Sequence, residues 1–160
     1  MTTITLDLEC TGLSWNTDKI LLCGYRIDRK GEVLYETENL KKHLADKTAV
    51  LSGHNVKFDA LFLANTGFDI KCQLEDTRVL AYTVWPNEDD HSLKALVKKK
   101  LGLNPTELSD IQFTPLKKDL EYLDDNDYFH FSDGKYCRRD LLSQYHVDDI
   151  INVDKLRDIM

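Results

Sequence analysis

The chain has 160 residues, 42% hydrophobic and 31% charged, enough to bury the core of one globular domain and too few for a second to be expected. Its net charge of -7 excludes a protein held to nucleic acid chiefly by a basic surface, though not a nuclease whose carboxylates hold cations. No apolar run suits a membrane span or signal peptide, and Cys10, Cys23, Cys72 and Cys137 form no Cys-x-x-Cys pair, so the expectation is a soluble, cytoplasmic, monomeric protein with reduced thiols.

In chain order, the stretch Thr3 to Glu9 alternates apolar Ile4, Leu6 and Leu8 with Thr3, Thr5, Asp7 and Glu9, the pattern of a strand with one face on a core. Asp7 and Glu9 then point the same way, about 7 Å apart, just before Cys10-Thr11-Gly12-Leu13. Such a pair repels unless a cation lies between, and hard oxygen ligands suit Mg²⁺ or Mn²⁺. A strand showing its polar side to water has the same pattern, so the pair needs partners elsewhere. Lys19 to Asp28 and Glu32 to Thr37 read as strands joined by Arg29-Lys30-Gly31, giving three sequential antiparallel strands. A short helix follows over Leu40 to Asp46, then a strand over Thr48 to Ser52 that ends in Gly53-His54-Asn55.

The run Val56 to Asn65 has helical spacing and is closed by Gly67; an extended piece, Cys72 to Asp76, precedes a helix over Thr77 to Val84 that Trp85-Pro86 stops. Ser92 caps the next helix, which ends near Gly102 and carries Lys98-Lys99-Lys100, either a solvated face or a phosphate track. Residues 103–138 are the least regular, with one helix expected near Leu116 to Leu123 and otherwise loop. Tyr128, Phe129 and Phe131 there either stack on bases or anchor the loop to its own domain. The last helix runs from near Arg139 to the end of the chain.

Two helices carry further acids. Asn55 suits a helix N-cap, and Asp59 shares a stripe with Val56 and Leu63, although an acid in a first turn is also favoured by the helix dipole alone. On the last helix, Leu142, Tyr145, Asp149, Leu156 and Met160 fall on one narrow face, with Asp148, Asp154 and Asp158 outside it. A carboxylate in mid-stripe, as at Asp149, must be paired, protonated or bound to a metal. Tyr145, one turn earlier, either packs in the core or reaches what Asp149 holds.

Three segments now resemble one family. DLECTGL (7–13) resembles Asp-x-Glu-x-x-Gly-Leu, HNVKFD (54–59) resembles Asn-x-Lys-[Phe/Tyr]-Asp, and YHVDD (145–149) resembles Tyr-x-x-x-Asp, the three motifs of the DEDDy 3′–5′ exonucleases and most of all of the proofreading domain of family A DNA polymerases. The resemblance implies an RNase H-like α/β fold: a mixed five-stranded sheet, three antiparallel strands first and then parallel ones, flanked by helices, over a single domain from 1 to 160. It implies two divalent ions, Mg²⁺ or Mn²⁺, held by Asp7, Glu9, Asp59 and Asp149, with Tyr145 orienting the attacking water. Leu13 would press on the terminal base and Asn55, Cys10 and Thr11 would contact the strand, Cys10 standing where the family usually has Thr. His146 is not expected to act as a base, because the DEDDh branch needs His-x-x-x-x-Asp and Ile151 occupies that place. The implied activity is removal of nucleotides from single-stranded or frayed 3′ ends of DNA, proofreading-like, with a separate polymerase as a possible partner and a phage-type accessory protein among the settings. An exoribonuclease and a catalytically silent nucleic-acid-binding domain are the alternatives.

Overall fold

Around β1 (Thr3–Cys10), the computed structural model, which describes residues 1–160, arranges β2 (Ile20–Ile27), β3 (Lys30–Leu34), α1 (Thr37–Leu44), β4 (Val50–Gly53), α2 (Val56–Asn65) and β5 (Gln73–Asp76). Then come α3 (Thr77–Val84), α4 (Leu93–Leu101), α5 (Leu108–Ile111), β6 (Gln112–Phe113), β7 (Tyr128–His130), β8 (Tyr136–Arg138) and α6 (Arg139–Ile159). The main sheet has the order β3-β2-β1-β4-β5; the first three strands pair antiparallel, and β4 and β5 join parallel. This is the mixed five-stranded sheet flanked by helices that the three motifs imply.

The apolar face of β1 works as its alternation predicts. Ile4, Leu6 and Leu8 pack with Leu40 and Leu44 of α1, Leu51 of β4 and Phe62 and Leu63 of α2 in the main core. Each such buried side chain contributes about 1.5–3 kcal/mol relative to an exposed one.

The polar face of β1 is largely shielded from water. There α6 lies across the sheet, and Thr5 is buried against it. The Thr5 hydroxyl donates to Asp154, whose other carboxylate oxygen is paired with Arg26 at 2.6 Å. Asp154 thus departs from the expectation that it lies outside the inward face of the last helix. α6 is covered on two sides, by β1 and β2 along Asp154 and by Ala81, Leu96 and Val97 along Leu156, so one narrow stripe does not describe it.

Two further boundaries differ from the sequence reading. The hairpin turns on Asp28 and Arg29, at φ 49° and 59°, not on Arg29-Lys30-Gly31, and β3 ends at Leu34. A two-residue turn with both central residues at positive φ matches the twist of the flanking strands. The Arg26 guanidinium donates to the carbonyls of Arg29 and Gly31 at 2.7 and 3.2 Å and holds the turn in place.

Residues 103–138 are less loop-like than expected: β6, β8 and β7 form a small antiparallel sheet, and Lys117–Tyr122 is a 3₁₀ helix instead of an α-helix. Phe129, Phe131 and Cys137 pack against Leu142 of α6, so these two phenylalanines anchor the segment. No helix is long and apolar enough to cross a membrane.

Candidate active site

The end of β1 and the first half of α6 bring carboxylates together because the strand's polar face and the helix's inward face are the same seam. Asp7 and Glu9 of β1 and Asp149 of α6 offer oxygens that all lie within 4.8 Å of one another. Glu9 and Asp149 are buried, and Asp7 keeps 20% of its side chain open to the cleft. Asp59 comes from the first turn of α2 and is buried as well; Asp7 is the charge that most raises its pKa.

Burial is the first cause of every shift in this group, and repulsion among the carboxylates adds to it. Asp7 is pushed up to about 8 and Glu9 to about 9. Asp59 and Asp149 are raised too, the latter pulled back by Lys94 and Tyr145. Hard oxygen donors brought this close together fit a divalent ion.

The turn before α2 aims Asp59. Asn55 stands at the N-cap position, but in the left-handed region at φ 70° and with no side-chain cap bond. Its backbone N–H donates instead to Asp76 at 3.0 Å, and that same carboxylate caps α3 through the N–H groups of Arg78 and Val79. The Asn55 side chain is left exposed.

Tyr145 is half-buried one turn before Asp149. Burial first, and then the Asp149 charge, raise its pKa far above the usual phenol range, so its hydroxyl stays neutral. Asp148 is exposed and accepts from Gln144 at 2.9 Å, away from the cluster. His146 is fully buried, with Nε2 at 2.8 Å from the Asp7 carbonyl oxygen, so Nε2 carries the proton and donates. It fits because residue 24, opposite Asp7 on β2, is Gly: a Cβ there would lie 2.7 Å from the imidazole.

One residue at the centre of the site escaped the sequence reading. Lys94 of α4 forms an ion pair with Asp149, and its Nζ lies 4.0 Å from the centre of the Tyr145 ring. Ser92 caps α4 as expected and so sets where Lys94 points, but no spacing in the sequence links residue 94 to residue 149.

Two clefts meet at the carboxylates. One of about 650 Å³ is lined by Asp7, Tyr145, Asp149, His54, Lys94 and Lys98. The other, about 550 Å³, is lined by Glu9, Cys10, Thr11, Leu13, Phe58 and Phe131. Leu13 is 86% exposed at that second cleft. The Thr11 hydroxyl is engaged within its own loop, donating to Asp18 at 3.0 Å and accepting from the Lys19 N–H at 2.9 Å. Burial raises the Cys10 thiol well above the usual range, so it is a neutral, weak hydrogen-bonding group.

Comparison with known proteins matches this architecture. NrnC of Brucella melitensis superposes with a TM-score of 0.68 at 18% identity, over 98% of this chain and 71% of that one, and has also been solved with bound Mg²⁺ and with bound pGG. Escherichia coli RNase D, an exoribonuclease involved in structured RNA processing, gives 0.65 at 14% identity over 98% of this chain and 38% of that one. The POL domain of Pol1 from M. smegmatis, in complex with DNA primer-template and dNTP, gives 0.63 at 14% over 98% and 23%. At these identities the likeness is one of fold. No curated protein matches the sequence. The sequence profile of the 3′–5′ exonucleases, however, matches residues 1–152, from before the first motif to beyond the third, and the chain belongs to that family.

Proposed function

We propose that the chain is a metal-dependent 3′–5′ exodeoxyribonuclease that removes mononucleotides from a free 3′ end of DNA. The observation that carries the proposal is the convergence of Asp7, Glu9 and Asp149 within 4.8 Å, with buried Asp59 beside them. Asp7, Glu9 and Asp149 would hold one divalent ion and Asp7 with Asp59 a second, Mg²⁺ or Mn²⁺. Bound there, the ions would supply Lewis-acid stabilisation of the attacking and leaving oxygens in an in-line displacement.

The chain's own groups do the rest. The neutral Tyr145 hydroxyl holds the attacking water by a hydrogen bond, which removes much of the orientational entropy of the step. The water oxygen bonds to phosphorus, the bond to the upstream 3′ oxygen breaks, and a 5′-mononucleotide leaves as a new 3′-hydroxyl forms. Exposed Leu13 supports the terminal base, and Cys10, Thr11 and Asn55 line the path of the strand. A paired end must open before it reaches the carboxylates; each base-pair step costs about 1.4 kcal/mol, roughly tenfold in rate. Single-stranded, frayed and mismatched ends are therefore preferred, and a separate polymerase is the natural source of the last. The chain acts as a monomer and a single domain, with a soluble cytoplasmic setting.

An exoribonuclease is the second reading, favoured by the fold likeness to RNase D and to NrnC, solved with pGG. The test is a time course on end-labelled DNA and RNA oligonucleotides of one sequence, with Mg²⁺, Mn²⁺ or EDTA. Metal-dependent release of mononucleotides from the 3′ end, faster on DNA, is the expected result. Faster release from RNA selects the second reading, and the absence of cleavage in either metal makes the domain a binding module.

A further inference from the structure

Lys94 stands where a helix least favours it. Ser92 caps α4, so Lys94 lies in the first turn, where the positive end of the helix dipole repels a cation, and that turn holds no acidic residue. Its side chain is nevertheless 13% exposed and is drawn inward, onto an oxygen of Asp149 and over the ring of Tyr145. The neighbouring lysines are engaged differently: Lys99 and Lys100 both pair with Glu88, while Lys98, one turn on from Lys94, is exposed on the same cleft with no ion pair.

We propose that Lys94 is a resident counter-ion of the carboxylate cluster that competes with divalent metal for Asp149. This rests on the metal-binding reading of the site given above. Buried carboxylates with no cation repel one another, and the ammonium of Lys94 relieves that repulsion at Asp149 while it sits over the face of the Tyr145 ring. Asp149 is also one of the three residues whose oxygens converge. A divalent ion and an ammonium on one carboxylate are like charges, so each would weaken the binding of the other there. Lys94 thus steadies Asp149 when no metal is bound and raises the metal concentration needed to fill the site.

The experiment uses the full chain, stripped of metal with EDTA and dialysed, titrated with Mn²⁺ by calorimetry and melted with and without the ion. Lys94→Met keeps an unbranched side chain and removes the charge that lies over Tyr145 and on Asp149. It should bind Mn²⁺ about tenfold more tightly than the unaltered chain, equivalent to about 1.4 kcal/mol, and should melt several degrees lower in EDTA. Lys94→Arg should restore both properties. Lys98→Met removes the same charge from the same cleft without a contact to Asp149, and its Mn²⁺ affinity should change less than about twofold because the charge is screened. Equal gains for Lys94→Met and Lys98→Met would reduce the effect to net charge and overturn the proposal, as would an unchanged affinity in Lys94→Met. Should the Met variant not fold, Lys94→Gln carries the same comparison. If no form binds Mn²⁺, including the unaltered chain, it is the metal reading of the site that fails.

Discussion

At residue scale, Asp149 is 5% exposed and faces Asp7 and Glu9, while Asp148 points to solvent beside Gln144. Asp149→Ala should lower turnover by roughly a hundred- to a thousandfold, the loss typical of removing an electrostatic group from a reacting centre. Asp148→Ala should be nearly silent, and Tyr145→Phe should fall between, by up to roughly a hundredfold for a misplaced water. Tyr145→Phe should also keep the rise in melting temperature that Mn²⁺ confers. Equal loss at both aspartates, measured as single-turnover rates on one oligonucleotide, would mean that Asp149 has no privileged role. The inward placement of Asp149 was legible because helical spacing sets it among Leu142 and Leu156. Lys94 was not, because its partners lie on another helix and a cross-element ion pair leaves no period in the sequence. Asp154 was misplaced for the same reason, its partners Thr5 and Arg26 being 149 and 128 residues away.

At the scale of elements, the seam between β1 and α6 is a polar ladder with Thr5 and Asp154 at one end and Asp7 and His146 farther along. Arg26 closes it from β2, with side-chain exposures of 15% for Arg26 and 5% for Asp154. Asp154→Ala leaves that half-buried guanidinium without its carboxylate, bonded only to the Arg29 and Gly31 carbonyls, and should destabilise the fold by about 1.5–3 kcal/mol. Asp158→Ala, which breaks an exposed pair with Arg29, should change stability by less than about 1 kcal/mol. Urea unfolding of the two variants side by side checks this; similar values would mean that the ladder does not hold the helix. The main strands and helices were legible from alternation and from their caps, as at Ser92, Gly67 and Gly102. β6, β7 and β8 were not, because strands of two or three residues carry no period and exist by virtue of Phe129, Phe131 and Cys137 packing on α6. The hairpin turn lies one residue earlier than its glycine suggests, because Asp28 and Arg29 also take positive φ, with Arg26 bonded to the Arg29 and Gly31 carbonyls.

At the scale of the whole molecule, the same carboxylates set how stability follows pH. Asp7 and Glu9 have native pKa values of about 8 and about 9, far above those of an unfolded chain, so the native state holds protons that the unfolded state has released. The stability they contribute is complete below pH 4 and is lost as pH rises to about 9. His146 acts with the opposite sign: burial lowers its pKa to about 4, so its share is present above about pH 6.5 and is lost as pH falls toward 4. Between pH 6.5 and 9 the carboxylates lead the change, and the four thiols, all raised by burial, add a loss of the same sign near pH 9. The metal-free protein should therefore melt lower at pH 9 than at pH 6.5, by roughly 5–10 °C if the difference is a few kcal/mol. Saturating Mn²⁺ should flatten or reverse that slope by binding the ionised form. A melting temperature that rises with pH in EDTA would show that these groups do not repel. The mixed sheet was readable through the family that the three motifs resemble; the burial behind these shifts was not, since a polar strand face looks the same whether water or a helix covers it. That covering helix also sets a schedule. The His146 bond to Asp7 spans 139 residues, so the first strand and the last helix must both exist before the site does. At about 5–20 residues per second of synthesis, β1 waits roughly seven to thirty seconds for α6 to be made. The growing chain lacks Tyr145 and Asp149 during that interval, so the site is not assembled, and no cleavage by it is expected, before α6 has been made.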